Sequence, residues 1–200
     1  MNRKIAKAGA LLVTVSVVIF AAVMPFSGFL SYLVCMVLPV GYIMMTAGFL
    51  QESAEDRRTA ACVALTFAAV YAVLVLLVYF SQTTAVRNDA LNEQALRILD
   101  YNRGGLMFSY DLLGYGMMAL STFFAGLSMK AENRRDRWLK RLLMIHGIFF
   151  ISCFVMPMTG AFSSMADGTG SAGGIIALEC WCAYFIPVGI LSALHFSDAE

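Results

Sequence analysis

Apolar positions along the chain come in six runs of about twenty residues, at 5–24, 29–50, 59–80, 105–129, 142–165 and 172–194, with short polar or glycine- and proline-marked breaks between them. A helix needs about that many residues to cross a hydrocarbon core ~30 Å thick. The pattern predicts an all-α polytopic membrane protein, a bundle of six transmembrane helices forming one domain over residues 1–200. The basic start (Arg3, Lys4, Lys7) before the first run has the outline of a signal peptide. No small-x-small site ends that run, however, and Pro25-Phe26-Ser27-Gly28 leads straight into the next, so the run is expected to stay as the first arm of a helical hairpin. The longest polar stretch is 81–104. In it Leu91, Ala95, Ile98 and Leu99 recur at helical spacing, which leaves open a short helix lying on the interface or a solvated connector.

Composition sharpens the class. Hydrophobic residues make up 60% of the chain and charged residues 14%, against roughly 45–50% and about 25% in soluble domains. Nothing is left over for a soluble domain, and a net charge of +1 offers no bulk basic field for nucleic acid. The distribution of Lys and Arg is more telling than their number. Eleven fall in the N-terminal segment, the second connection and the stretch 130–141, against three (Arg87, Arg97, Arg103) in the polar stretch on the other side. By the positive-inside rule both termini are cytoplasmic and the protein is a multi-pass protein of the cell membrane. The stretch 130–141, KAENRRDRWLKR, is expected to be a basic loop that anchors its flanking spans, with Trp138 at the interface; contact with anionic lipid or a protein partner is the alternative use.

Candidate chemistry is sparse. Asp111 and Glu179 are the acids inside apolar runs, and ionisable groups are expensive there. Each lies six or seven residues below the outer end of its span, a depth of roughly 9–10 Å, so the two can share an outward-facing site. On a helix Asp111 shares its face with Met107, Gly114, Tyr115 and Met118. Glu179 shares its face with Ile175, Cys182, Ala183 and Ile186, with Trp181 pointing away. Arg103, at the outer edge of the fourth span, is the cation placed to compensate the acids. The alternative is that the carboxyls accept hydrogen bonds from Tyr110, Tyr115, Arg103 or kinked backbone and only fix helix register. Pro39, Pro157 and Pro187 each remove a backbone donor inside a span.

Other motifs carry less. Five cysteines, an odd number within or at the ends of apolar runs, indicate no disulfide framework. Cys180 and Cys182 stand about 200° apart on a helix and cannot hold a metal together, and both are expected as buried small residues. His146 and His195 complete no metal-binding motif, and His146 is expected to snorkel or to be hydrogen-bonded. Gly168 to Gly173 matches G-x-G-x-x-G without a preceding strand, so it reads as a turn. No cofactor or metal is called for. Gly126-Leu127-Ser128 resembles in outline the nucleophile motif of rhomboid-type intramembrane proteases, but Ser128 and His195 fall at the cytoplasmic ends and the rest of that pattern is absent. The functional expectation is a small carrier or channel for a solute or cation, with Asp111, Glu179, Arg103 and Tyr115 forming a titratable site. A non-catalytic membrane sensor or assembly partner is the alternative, and an intramembrane enzyme acting on a lipid ranks last.

Overall fold

The computed structural model describes residues 1–160 and 172–197. Among them the regular structure is all helical. The long helices are α1 (Asn2–Val23), α2 (Gly28–Glu52), α3 (Arg58–Thr83), α6 (Leu106–Ser128) and α9 (Ala172–His195). The helices α4 (Ala85–Asn88) and α5 (Glu93–Leu99) lie in the connector, and α7 (Arg134–His146) is followed at once by α8 (Phe149–Met158). The glycine-rich turn around Gly168, the end of the fifth apolar run and the last three residues lie outside the described residues.

Five helical segments have the length and apolarity to cross a membrane: Asn2–Val23, Gly28–Glu52, Glu55–Asn88, Arg134–Met158 and Gly174–His195. The protein is therefore assigned to a membrane. The run at 105–129 is not one of the five, so length and apolarity show five of the six expected spans. As α6 it is long enough, at 23 residues, but it carries Asp111, Ser121, Thr122 and Ser128, all buried against other helices. A helix screened by its neighbours can hold polar groups that a lipid-facing one cannot. The outward faces of the apolar helices carry Val15, Val18, Val73, Leu77, Phe80, Ile151 and Ile176, all exposed. In water they would form a large apolar surface; in lipid they need no cover.

Packing follows chain order. α1 lies against α2, α2 against α3, α3 against α6, and α6 against α7 and α8, while α9 closes the ring on α7 and α1. The α1–α2 crossing is set by glycine. A Cβ at Gly9 would stand 2.7 Å from the Gly41 carbonyl oxygen, and one at Gly41 would stand 2.9 Å from the Gly9 oxygen. Only hydrogen in both places lets the backbones approach so closely. At the centre Tyr42, Tyr71, Met118 and Phe185 from four helices are fully buried, and the Tyr42 hydroxyl donates to the Met118 carbonyl at 3.3 Å.

Two boundaries differ from the sequence expectation. The basic stretch is mostly helix rather than loop, because Asn133 caps α7: its Oδ1 accepts from the Asp136 amide at 2.8 Å and its Nδ2 donates to Asp136 Oδ2 at 3.0 Å. That cap satisfies one orphan amide and starts the helix eight residues before the apolar run. Between α7 and α8 the Gly147, Ile148, Phe150 and Ile151 amides each bond three residues back, a short tightened joint rather than an end. The connector does contain a helix at the predicted spacing, α5, capped by the Asn92 side chain. Arg87 lies 3.8 Å over the ring of Phe29, which ties the connector to the start of α2.

One end of the bundle is fastened by a cluster that no local pattern announces. Glu52 at the end of α2 takes Arg3 of α1 at 2.6 Å and His195 Nε2 of α9 at 3.2 Å, while His195 Nδ1 meets Asp136 Oδ1 of α7 at 2.9 Å. Phe49 stacks on the imidazole at 5.8 Å. His195 thus separates two carboxylates and joins α2, α7 and α9, while Arg3 brings in α1 through Glu52. We expect His195→Ala to lower stability by about 1–3 kcal/mol, because it leaves both acids facing each other in partly dry surroundings. Thermal unfolding in detergent measures this, and His195→Ala combined with Asp136→Asn should recover part of the loss.

Candidate functional site

Asp111 stands in the second turn of α6, about 8 Å along the helix from Leu106, at the end of the bundle opposite the Glu52–His195 cluster. It is 2% exposed. Of the expected helix face, Met107, Asp111, Gly114 and Met118 are buried and Tyr115 is partly buried. Gly114 lets α3 come close: a Cβ there would meet Val75 Cγ2 at 3.0 Å. α3 offers Tyr71 and Tyr79 on the same side, eight residues apart and so about two turns.

Aromatic rings enclose the acid. The Tyr79 and Tyr101 hydroxyls lie beside the Asp111 carboxyl. Tyr32 of α2 stacks on Tyr79 at 5.5 Å and meets Tyr101 at 6.1 Å, and Tyr101 packs edge-on against Phe108 at 5.2 Å. On the inner side Tyr71 and Tyr115 lie edge to face at 5.7 Å. Tyr101 belongs to a 3-10 turn, Tyr101–Arg103, outside any apolar run. Gln82 puts it in place: its Nε2 donates to the Leu99 carbonyl at 2.8 Å and its Oε1 accepts from the Tyr101 amide at 2.9 Å. Gly104, at φ 64°, then turns the chain into α6, a conformation glycine adopts without strain.

The carboxyl is incompletely satisfied. Oδ1 of Asp111 is buried without a hydrogen-bond partner, as is the Tyr71 hydroxyl. Among the described residues no Lys, Arg or His pairs with it. Arg103 instead binds Glu93 at 3.1 Å and lies 3.9 Å from Asp100, so it fastens the connector that carries Tyr101. Tyr110 points outward and is 37% exposed. A buried carboxylate with no counter-charge is costly, and a proton or a small cation at the open oxygen relieves that cost.

Glu179 is half-buried, with Cys182 as its electrostatic neighbour, and no hydrogen bond or ion pair joins it to Asp111 among the described residues. The inward face of α9 is Trp181, Cys182, Phe185 and Val188. Trp181, expected to point away, is the residue that reaches the site, with its ring 5.3 Å from that of Tyr115. Cys180 is exposed while Cys182 is buried, so the expectation of two buried thiols holds for one.

His146 ends this aromatic chain. It is 1% exposed and does not snorkel. Trp181 Nε1 donates to its Nε2 at 3.1 Å, and Thr122 Oγ1 lies 2.8 Å from its Nδ1. An indole N–H can only donate, so the neutral ring carries its proton on Nδ1 and gives it to Thr122, whose hydroxyl donates to the Ala119 carbonyl at 2.8 Å. Both ring nitrogens are occupied, which suits a fixed strut better than a proton acceptor.

The residues that sequence reasoning missed are Tyr32, Tyr79, Tyr101 and Gln82. The eight-residue spacing of Tyr71 and Tyr79 was the available signal. Comparison of the chain with protein-family models, with curated proteins and with solved structures gave no match, so its function is read from this geometry alone.

Proposed function

We propose that the chain is a six-pass protein of the cell membrane, with both termini in the cytoplasm, that moves a small cation or a proton by way of Asp111. The observation that carries this reading is the buried Asp111 carboxyl with its unpartnered Oδ1 and, among the described residues, no basic residue paired with it. Acids inside a membrane protein that lack a structural counter-charge are favoured places for an exchangeable one. The orientation draws support from Arg3, Glu52, Asp136 and His195, which gather the start of α1, the end of α2, the start of α7 and the end of α9 at one end. That end holds eleven of the fourteen Lys and Arg residues.

Each residue has a role in this reading. Asp111 holds the charge. Tyr79 and Tyr101 position its carboxyl, and Tyr115 links it to Trp181. Arg103 positions Tyr101 through Glu93 and Asp100. Glu179, half-buried on α9, is the second carboxyl of this reading. The test is purified protein in liposomes with fluorescent reporters of internal pH and of alkali cations. Wild type is expected to give flux above empty liposomes, and Glu179→Gln to slow it without abolishing it. Wild-type liposomes no leakier than empty ones, for protons and for every cation tried, would defeat the proposal.

A further inference from the structure

At the opposite end from Asp111, His195 meets a carboxylate at each ring nitrogen: Nδ1 lies 2.9 Å from Asp136 Oδ1 and Nε2 lies 3.2 Å from Glu52 Oε2. We infer that His195 is held as an imidazolium at neutral pH and serves as a pH-sensitive clamp on α2, α7 and α9, firm while the ring carries both protons and weakened once it gives one up. On the orientation proposed above the clamp responds to cytoplasmic pH. Its action does not depend on any flux by way of Asp111.

The charge state follows from the donors available. An ionised carboxylate only accepts hydrogen bonds, and a neutral imidazole has one N–H and one bare lone pair. With a carboxylate at both nitrogens, a neutral ring turns its lone pair on an oxygen whichever tautomer it takes; an imidazolium donates at both. The side chains of His195, Asp136 and Glu52 are only 15%, 8% and 20% exposed, so water screens the contact weakly. Neither acid is free to turn away. Asp136 Oδ2 accepts from Asn133 Nδ2 at 3.0 Å, and Glu52 is held by Arg3 of α1. Phe49 and Phe196, both buried, flank the imidazole with ring centroids at 5.8 and 5.2 Å. Of the other charged groups on these helices near this end, Lys4, Lys7, Arg134 and Arg137 are exposed, Arg135 is partly buried, and Lys140 donates to the Met129 carbonyl at 3.0 Å. Arg3 and a charged His195 thus balance Glu52 and Asp136, and a neutral ring leaves one negative charge over. In the unfolded chain an imidazole loses its proton near about pH 6.5. The folded bundle binds the charged ring, so stability is full on the acid side and falls as pH rises through the point where the clamped ring gives up its proton.

Two measurements on the full-length protein in detergent test this. The chain has two histidines, His146 and His195, so protein labelled with nitrogen-15 histidine gives the spectra of two rings. At pH 7 His195 is expected to carry a proton on both nitrogens, whereas His146, between Trp181 and Thr122, carries one. The second measurement is thermal unfolding from the acid to the alkaline side of neutrality, in wild type and in Asp136→Asn. In the variant the amide nitrogen can donate to Nδ1 while Nε2–H donates to Glu52, so a neutral ring satisfies both partners. Over the range in which His195 titrates, the wild-type Tm is expected to fall by about 2–4 °C more than that of the variant. The inference is overturned if His195 is singly protonated at pH 7, with the second proton on a carboxyl, or if the two proteins show the same pH profile. The spectrum of wild type decides the charge state whether or not Asp136→Asn folds, and Glu52→Gln repeats the unfolding comparison from the other side of the ring.

Discussion

Gly9→Leu is expected to leave the protein without a stable fold. At this position α1 and α2 are in near backbone contact: a Cβ would stand 2.6 Å from Met44 Cβ and 2.7 Å from both the Gly41 oxygen and the Met45 amide nitrogen. Two of those three are main-chain atoms, which cannot rotate away. A methyl group alone forces the helices apart, and overpacking of this kind costs typically 1–3 kcal/mol. A leucine adds three more carbons in the same direction, so the loss should exceed about 3 kcal/mol, or roughly 6–12 °C in Tm for a chain of this size. Thermal unfolding and size-exclusion profiles in detergent measure it. Gly28→Ala is the control, because a Cβ there meets only the Tyr32 ring at 3.8 Å, and its Tm should stay close to wild type. A stable, monodisperse Gly9→Leu protein would mean that the α1–α2 crossing is not as described.

Asp111→Asn is expected to separate transport from stability. The amide keeps the size of the side chain and an oxygen that can accept from Tyr79 or Tyr101, but it cannot carry a negative charge. If Asp111 exchanges a proton or cation, flux should fall at least about tenfold while unfolding stability stays within about 1 kcal/mol, or rises, because a poorly satisfied buried acid has been removed. If Asp111 serves only helix register, the reverse pattern follows, with Tm falling and flux unchanged. Tyr101→Phe belongs beside it as a milder version, since it removes one hydroxyl and keeps the ring against Phe108.

How much of this was legible in the sequence depended on the kind of signal each feature carries. The buried face of α6 was readable, because Asp111, Gly114 and Met118 recur at three and four residues and small or polar residues mark the side that avoids lipid. The inward face of α9 was not. That helix is apolar nearly all round, so Glu179 and Trp181 compete for the inside with no periodic bias between them, and packing against α1 and α7 decides. The start of α7 was hidden by its charge. Asn133 followed three residues later by Asp136 is a cap signal, but it lies in a stretch whose six basic residues suggest a loop. Tyr101 and His195 were hidden for a third reason: each becomes important through a partner far away in the chain. Gln82 fixes Tyr101 across the connector, and Glu52 and Asp136 bracket His195. A single sequence read by local pattern finds costly residues such as Asp111, but not the distant groups that surround them.

The central claim is that the Asp111 carboxyl exchanges its positive charge with the surroundings, and infrared difference spectroscopy of the protein in lipid follows that carboxyl directly. Wild type should show a carboxyl band that responds to a step in external pH or to added alkali cation, and the band should be missing from Asp111→Asn. Identical difference spectra for the two proteins, or an Asp111 band that stays fixed over the whole pH range in which the protein is folded, would contradict it.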